Sequence, residues 1–119
     1  MTEALTNFTL NGTTFKYLNG SRNESSLLGS IKQFDGSKWN RLEVAGKTKE
    51  KNISFSGFVT TDEEKQLLQA LESDTVYTDY SDGETTLTKC VVMDISFSFN
   101  INSPYGWNYT IIIEEYNQE

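Results

Sequence analysis

Four acidic residues that lie close together in the sequence, Asp74, Asp79, Asp82 and Glu84, are the side chains with the clearest potential for chemistry. Clustered carboxylates suit Ca²⁺ or Mg²⁺, which prefer oxygen ligands. Their spacing does not match an EF-hand loop, and Asp82-Gly83 is a typical turn pair. The sequence therefore favours a turn surrounded by solvated acids over a metal site, and we expect no metal and no cofactor.

Histidine is absent from the chain, and Cys90 is its only cysteine. The lack of histidine removes the commonest general base and metal ligand, which excludes ordinary serine triads, Cys–His dyads and zinc sites. No GxGxxG or GxxxxGK[ST] phosphate-binding motif occurs. Cys90 has no neighbour in sequence that would lower its thiol pKa, so we expect a half-buried structural role. The chain is accordingly predicted not to be an enzyme.

Aromatic residues near the C-terminal loop are better candidates for contact with a partner. Tyr105 lies in the loop at 102–106, and Trp107 begins the strand that follows. Such residues can stack on a sugar ring or anchor a protein partner. Trp107 is in phase with Tyr109 and Ile111, which favours a buried position for Trp107 and leaves Tyr105 as the stronger contact candidate.

A long β-hairpin over residues 84–115 is predicted to carry these aromatic residues. Its first strand alternates apolar and mostly polar residues, and the apolar set is Val91, Met93, Ile95, Phe97, Phe99 and Ile101. A period of two indicates a strand with one buried face. The stretch from Trp107 to Glu114 alternates in the same way and predicts the second strand.

One helix is predicted at about 62–72. Thr61 is a favourable N-cap, and Glu64 stands at the third helical position of a capping box. Leu67, Leu68 and Leu71 form an apolar stripe that would pack on a sheet.

Turn pairs divide the rest of the chain. Asn11-Gly12 predicts a tight hairpin, and Asp35-Gly36 predicts a second turn. Residues 19–30 show no clear period and are predicted to form a loop. The lysine-rich segment at 46–51 is predicted to be a solvated hairpin loop, with a small anion-binding patch as the alternative.

Two strands, at 39–44 and 53–59, would flank this lysine loop. Gly57 interrupts the apolar face of the second and indicates a bulge or a close backbone approach. The order of strands, one helix and more strands predicts an α+β fold, mainly antiparallel β, either a sandwich or a partly open barrel. At 119 residues the chain is expected to form a single domain, 1–119.

The chain has a net charge of −7. Because an acidic surface repels phosphates, we expect no direct nucleic-acid binding. No apolar run has the length of a membrane span, and the N-terminus lacks the pattern of a signal peptide. We therefore expect no membrane partner and a cytoplasmic location during synthesis.

The second half of the chain resembles small tail and baseplate proteins of tailed bacteriophages and related prophage or archaeal virus elements. The resemblance covers about residues 52–116: the strand 53–59 ending in Gly-x-Val, the acidic helix, the strand 76–80, and a long hairpin finishing in Ile-x-Glu. It implies a structural virion protein that associates with copies of itself and with other structural proteins through strand and hairpin contacts, and that ends in a virion.

Asp94 and Ser96, on the polar face of the first hairpin strand, would then set the register between neighbouring copies. Tyr105 and Trp107 complete the candidate contact residues. The alternative is a monomeric β-sandwich module that binds a carbohydrate or protein through Tyr105 and Trp39.

Overall fold

The computed structural model describes residues 5–99 and 106–116 of the chain, without the side chains of Leu5 and of residues 44–48. A 3-10 turn at Asn19–Ser21 separates the second and third strands. The elements are β1 (Leu5–Leu10), β2 (Thr13–Leu18), β3 (Asn23–Phe34), β4 (Trp39–Val59), α1 (Asp62–Gln69), β5 (Tyr77–Ser81), β6 (Thr86–Phe99) and β7 (Trp107–Glu115). They form one antiparallel sheet in the order β2-β1-β5-β6-β7-β4-β3, which confirms the predicted α+β, mainly antiparallel fold.

The sheet curves strongly around an aromatic core without closing into a barrel. The ring of Tyr17 on β2 stacks on Phe55 of β4 with centroids 4.2 Å apart, and Phe8 on β1 lies 4.8 Å from the same ring. These strands are not neighbours in the sheet, so the contacts form across its concave side. Of the two predicted arrangements, the structure is therefore the partly open barrel.

The predicted hairpins and turns are present. Asn11 and Gly12 have φ angles of 50° and 88°, as a type I′ turn requires, and they join β1 to β2. Gly36 and Gly83 also have positive φ, at the β3–β4 and β5–β6 turns. The long hairpin is formed by β6 and β7.

The helix begins where the sequence predicts and ends earlier. The Thr61 hydroxyl accepts a hydrogen bond from the Glu64 backbone N–H at 3.1 Å, which confirms the N-cap. Helix α1 ends at Gln69 rather than near residue 72. The chain turns there, and the Glu72 carboxylate accepts a hydrogen bond from the Ile95 backbone N–H at 3.0 Å. No helix among the described residues is long and apolar enough to cross a membrane.

The predicted apolar face of β6 is correct only in part, because a β-bulge changes its phase. Val92 pairs with Ile113, but the next pair is Asp94 with Ile112, so Met93 is an extra residue. Cys90 and Val92 therefore face the core before the bulge, and Ile95 and Phe97 face it afterwards. Val91 is buried on the opposite face, and Ile101 lies outside the described residues.

Two predictions about the first half are wrong. Residues 19–30 are not a loop, since β3 begins at Asn23. The prediction failed because the polar residues at the start of this strand show no alternation of apolar and polar side chains. The lysine segment 46–51 is not a hairpin loop, because β4 is a single strand of 21 residues that continues through it.

The pairing of β3 with β4 changes register at the lysine segment. Ser30 pairs with Val44, but the next pair is Leu28 with Lys49, so residues 45–48 face only Gly29. This irregularity divides the β3–β4 ribbon into two halves. We call the half formed by residues 30–44 the arm and the rest of the chain the body.

The arm folds back over the outer face of the sheet. Lys38 Nζ lies 2.7 Å from Asp94 Oδ1 of β6, although two strands separate β6 from β3 in the sheet. The Trp39 ring lies 5.8 Å from the ring of Tyr116, and Trp39 Nε1 donates to the Ser73 carbonyl at 2.9 Å. A bend in the ribbon brings these residues together.

Candidate functional site

The three predicted contact residues that the structure describes, Asp94, Ser96 and Trp107, do not form one site, because Trp107 lies on the opposite face of the sheet. Asp94 is paired with Lys38, and Ser96 is exposed on the same outer face. Trp107 packs against the core on the concave face, 5.1 Å below the ammonium of Lys65. Tyr105 lies outside the described residues.

A buried charged cluster fastens the arm to the body. Lys32 Nζ lies 2.6 Å from Glu50 Oε1 and 3.4 Å from Glu114 Oε1, and all three side chains are shielded from solvent. Arg41 binds Glu114 through two nitrogens, with Nε 2.9 Å from Oε1. Asn52 donates to Glu114 Oε2 at 3.1 Å. The cluster joins two arm cations to carboxylates of β4 and β7.

Glu114 remains ionised in this cluster. Burial alone would raise its pKa, but hydrogen bonds from Arg41 and Asn52 and the charge of Lys32 outweigh burial and lower it. Both carboxylate oxygens already accept from protein groups. The carboxylate therefore serves as an anchor for the arm.

Asp82 is the centre of a second polar cluster. Its Oδ2 accepts from Arg22 Nε at 2.8 Å and from the Tyr80 hydroxyl at 2.6 Å, and its Oδ1 accepts from the backbone N–H groups of Glu84 and Thr85. This confirms that Asp82 forms the turn. Arg22 was missed, because a single arginine in a polar segment gives no pattern that links it to a turn sixty residues later.

No group of three or more histidine, cysteine, aspartate or glutamate side chains in residues 5–99 and 106–116 is arranged to hold a metal ion. Cys90 is completely buried rather than half-buried. Burial and the nearby Glu115 carboxylate raise the pKa of its thiol to about 12. The thiol is therefore neither accessible nor activated as a nucleophile.

A groove of about 360 Å³ lies between β2, the end of β4 and α1. Phe15, Phe58 and Leu67 supply much of its apolar lining, and Lys16 and Glu64 are polar residues beside it. Leu67 was predicted to pack on the sheet, but it is 56% exposed at this groove, while Leu68 and Leu71 are buried.

A second apolar surface lies on the β3–β4 ribbon at its bend. Leu28 is 49% exposed and Leu42 is 56% exposed, and Leu27 and Ile31 are also exposed. Leu27, Leu28 and Leu42 border a shallow hollow of about 320 Å³. We call this group of four residues the ribbon patch. Leu42 lies on β4, and the other three residues lie on β3, whose outer edge is not paired with any other strand that the structure describes.

The sequence matches no protein-family model, and no curated protein matches it.

Proposed function

We propose that this protein is a non-enzymatic structural subunit that associates with further copies of itself through the β3 edge of its sheet. The virion tail or baseplate role implied by the resemblance of residues 52–116 is the biological setting that we propose for it. The observation that carries the proposal is the combination, on the twelve-residue strand β3, of an edge that no described strand pairs with and of the exposed apolar side chains of Leu27, Leu28 and Ile31.

The edge of β3 has the properties of a pairing surface. Proteins that stay monomeric protect long edge strands with charged residues, prolines or covering loops. The exposed side chains at the middle of β3 are instead Leu27, Leu28 and Ile31. An added strand would form backbone hydrogen bonds along this edge and cover apolar side chains of β3 that are exposed in the single chain. The acidic charge of the chain opposes association, so salt is expected to strengthen it.

Light scattering after size exclusion, over a range of protein and salt concentrations, tests this proposal. The native chain is expected to form a discrete oligomer whose population rises with protein concentration. Leu28→Lys places a charge on the edge and is expected to raise the dissociation constant at least about tenfold, because an edge lysine opposes strand pairing. Leu67→Lys is the matched control, since Leu67 is equally exposed but lies on α1.

Two outcomes would contradict the proposal. One is a monomer at every protein and salt concentration. The other is an oligomer that Leu67→Lys disrupts and Leu28→Lys does not, which would move the interface to the groove.

The groove supports a second candidate function, a binding module for a small apolar or sugar-like ligand. Its volume of about 360 Å³ lies within the range of small-molecule sites. Trp39, considered as a stacking residue, is buried and hydrogen-bonded to Ser73, so it is not available to a ligand. An NMR titration with an oligosaccharide panel tests this candidate. Shifts confined to the groove and lost in Phe58→Ser would support it, and no shifts with any oligosaccharide would count against it.

A further inference from the structure

The arm is a unit with its own internal structure. Its two strands form a ladder from the Ser30–Val44 pair to the Phe34–Trp39 pair. The turn between them is held by Asp35, whose carboxylate accepts hydrogen bonds from the backbone N–H groups of Ser37 and Lys38. A movement at the bend would therefore leave the arm intact.

The arm contacts the body through charged and polar groups and through the buried Trp39 side chain, which packs against Tyr116. Lys38 pairs with Asp94, Arg41 pairs with Glu114, and Lys32 donates to the Glu115 carbonyl at 3.2 Å. Each contact joins a cation of the arm to an anion or carbonyl of β6 or β7. Such groups regain hydration when they separate, which offsets part of the free energy needed to open this contact.

Charge also makes the body a complementary surface for any copy of the arm. Residues 30–44 contain three basic and two acidic side chains, so the arm is net positive in a chain of net charge −7. The attraction between the arm and the outer face of β6 and β7 does not depend on which chain supplies the arm.

A pair of copies that exchanged their arms would gain, at the bend, a contact that the single chain lacks. Residues 45–48 face only Gly29, which provides chain length for a hinge at this point. Leu28 lies on the body side of the bend and Leu42 on the arm side, and both border the hollow in the ribbon patch. Where two straightened ribbons cross, these leucines would be buried against those of the second copy.

We propose that the protein associates by exchanging arms: residues 30–44 of each copy bind the outer face of β6 and β7 of a second copy and make there the contacts that they make within one chain. This inference rests on the self-association proposed above and adds the exchanged arm to the β3 edge as an element that joins the copies. It is a domain swap, in which the native contacts are reused between chains.

Isotope-coded cross-linking of the unmodified sequence tests the exchange. Equal amounts of ¹⁴N- and ¹⁵N-labelled chains are unfolded together, refolded, and separated into monomer and oligomer by size exclusion. A zero-length carbodiimide reagent then joins the Lys38 ammonium to the Asp94 carboxylate, which lie 2.7 Å apart. Mass spectrometry shows whether the two halves of each cross-linked peptide carry the same label. The same experiment on the Lys38→Met variant identifies the cross-linked Lys38–Asp94 peptide, because this peptide cannot form without the Lys38 amine.

Arm exchange predicts mixed-label and same-label Lys38–Asp94 peptides in equal amounts in the oligomer, and same-label peptides alone in the monomer. Same-label peptides alone in the oligomer would overturn the exchange while leaving self-association intact. Failure to form any oligomer would overturn both proposals, so the two failures are distinguishable.

Discussion

The ring of Tyr109 passes directly over the backbone of Gly57, and its hydroxyl donates a hydrogen bond to the Lys16 carbonyl at 2.5 Å. Lys16 lies on the edge strand β2 and Tyr109 on β7, and three strands separate β2 from β7 in the sheet. The interrupted apolar pattern at Gly57 predicted a bulge or a close approach, and the structure shows the close approach. One side chain thereby links the edge strand β2 to β7 across the core of the curved sheet.

Gly57→Ala is expected to destabilise the protein, because a Cβ at this position would lie 2.8 Å from Tyr109 ring atoms. Overpacking of this kind costs about 1–3 kcal/mol of unfolding free energy, which urea denaturation followed by circular dichroism would measure. In a Tyr109→Leu background the same substitution should cost clearly less, since the ring is gone. An equal cost in both backgrounds would show that the close approach is not the cause.

Asp82→Asn is expected to lower the unfolding free energy by about 3 kcal/mol or more, because it breaks a buried charge pair and leaves Arg22 without that partner. Urea denaturation would measure the loss. Asp74→Asn is the matched control, since Asp74 is exposed and the change should stay within about 0.5 kcal/mol.

The same carboxylate makes stability depend on acid pH. Burial alone would raise the pKa of Asp82, but hydrogen bonds from Tyr80, Arg22 and two backbone N–H groups lower it. A pKa below the unfolded value of about 3.9 gives stability that is present above that pH and lost as pH falls through the folded-state pKa. The unfolding free energy of Asp82→Asn should therefore decrease less than that of the native chain as the pH is lowered. An unchanged pH profile would assign the acid sensitivity to other carboxylates.

Local patterns predicted the elements that local interactions determine. The hairpin at Asn11-Gly12 and the start of α1 at Thr61 depend on residues within four positions of each other, so they could be derived from the sequence. The bulge at Met93 could not, because no local pattern in β6 marks the extra residue, and the nearby hydrogen bond that the Ile95 backbone N–H donates to Glu72 joins residues 23 positions apart. The polar strand β3 gave no apolar period, and its place is set by pairing with β4.

The contact residues predicted from the sequence illustrate the same limit. Asp94 was expected to face a neighbouring copy, and in the single chain it binds Lys38, 56 positions away in the sequence. The ribbon patch was not predicted, because residues 19–30, which include Leu27 and Leu28, were predicted to form a loop. Only the fold shows that this segment is an edge strand with exposed leucines.

The Cys90 thiol is expected to react slowly with a disulfide reagent at about pH 8, near the usual thiol pKa, because the side chain is buried and its pKa is raised to about 12. Addition of urea should expose the thiol and restore the rate of a free cysteine. The absorbance of the released thiolate would follow the reaction. Similar rates with and without urea would contradict the burial of Cys90.

Lys32→Met and Lys38→Met make the same substitution at two points of the arm and should have very different effects. Lys32 is fully buried between Glu50 and Glu114, so its loss removes the paired cation of Glu50 and one of the two cations beside Glu114. We expect a loss of about 3–5 kcal/mol of unfolding free energy. Lys38 and Asp94 remain accessible to water, so Lys38→Met should cost about 1 kcal/mol or less.

Urea denaturation of the two variants, measured at one protein concentration because association adds to apparent stability, would make the comparison. The double variant Lys32→Met, Glu50→Gln should recover part of the loss, because it removes a carboxylate that the first change leaves without its ammonium partner. Equal effects of Lys32→Met and Lys38→Met would show that the buried cluster does not hold the arm more firmly than the exposed pair. That result would indicate that the arm is held against the body mainly by Trp39, which packs against Tyr116 and donates to the Ser73 carbonyl.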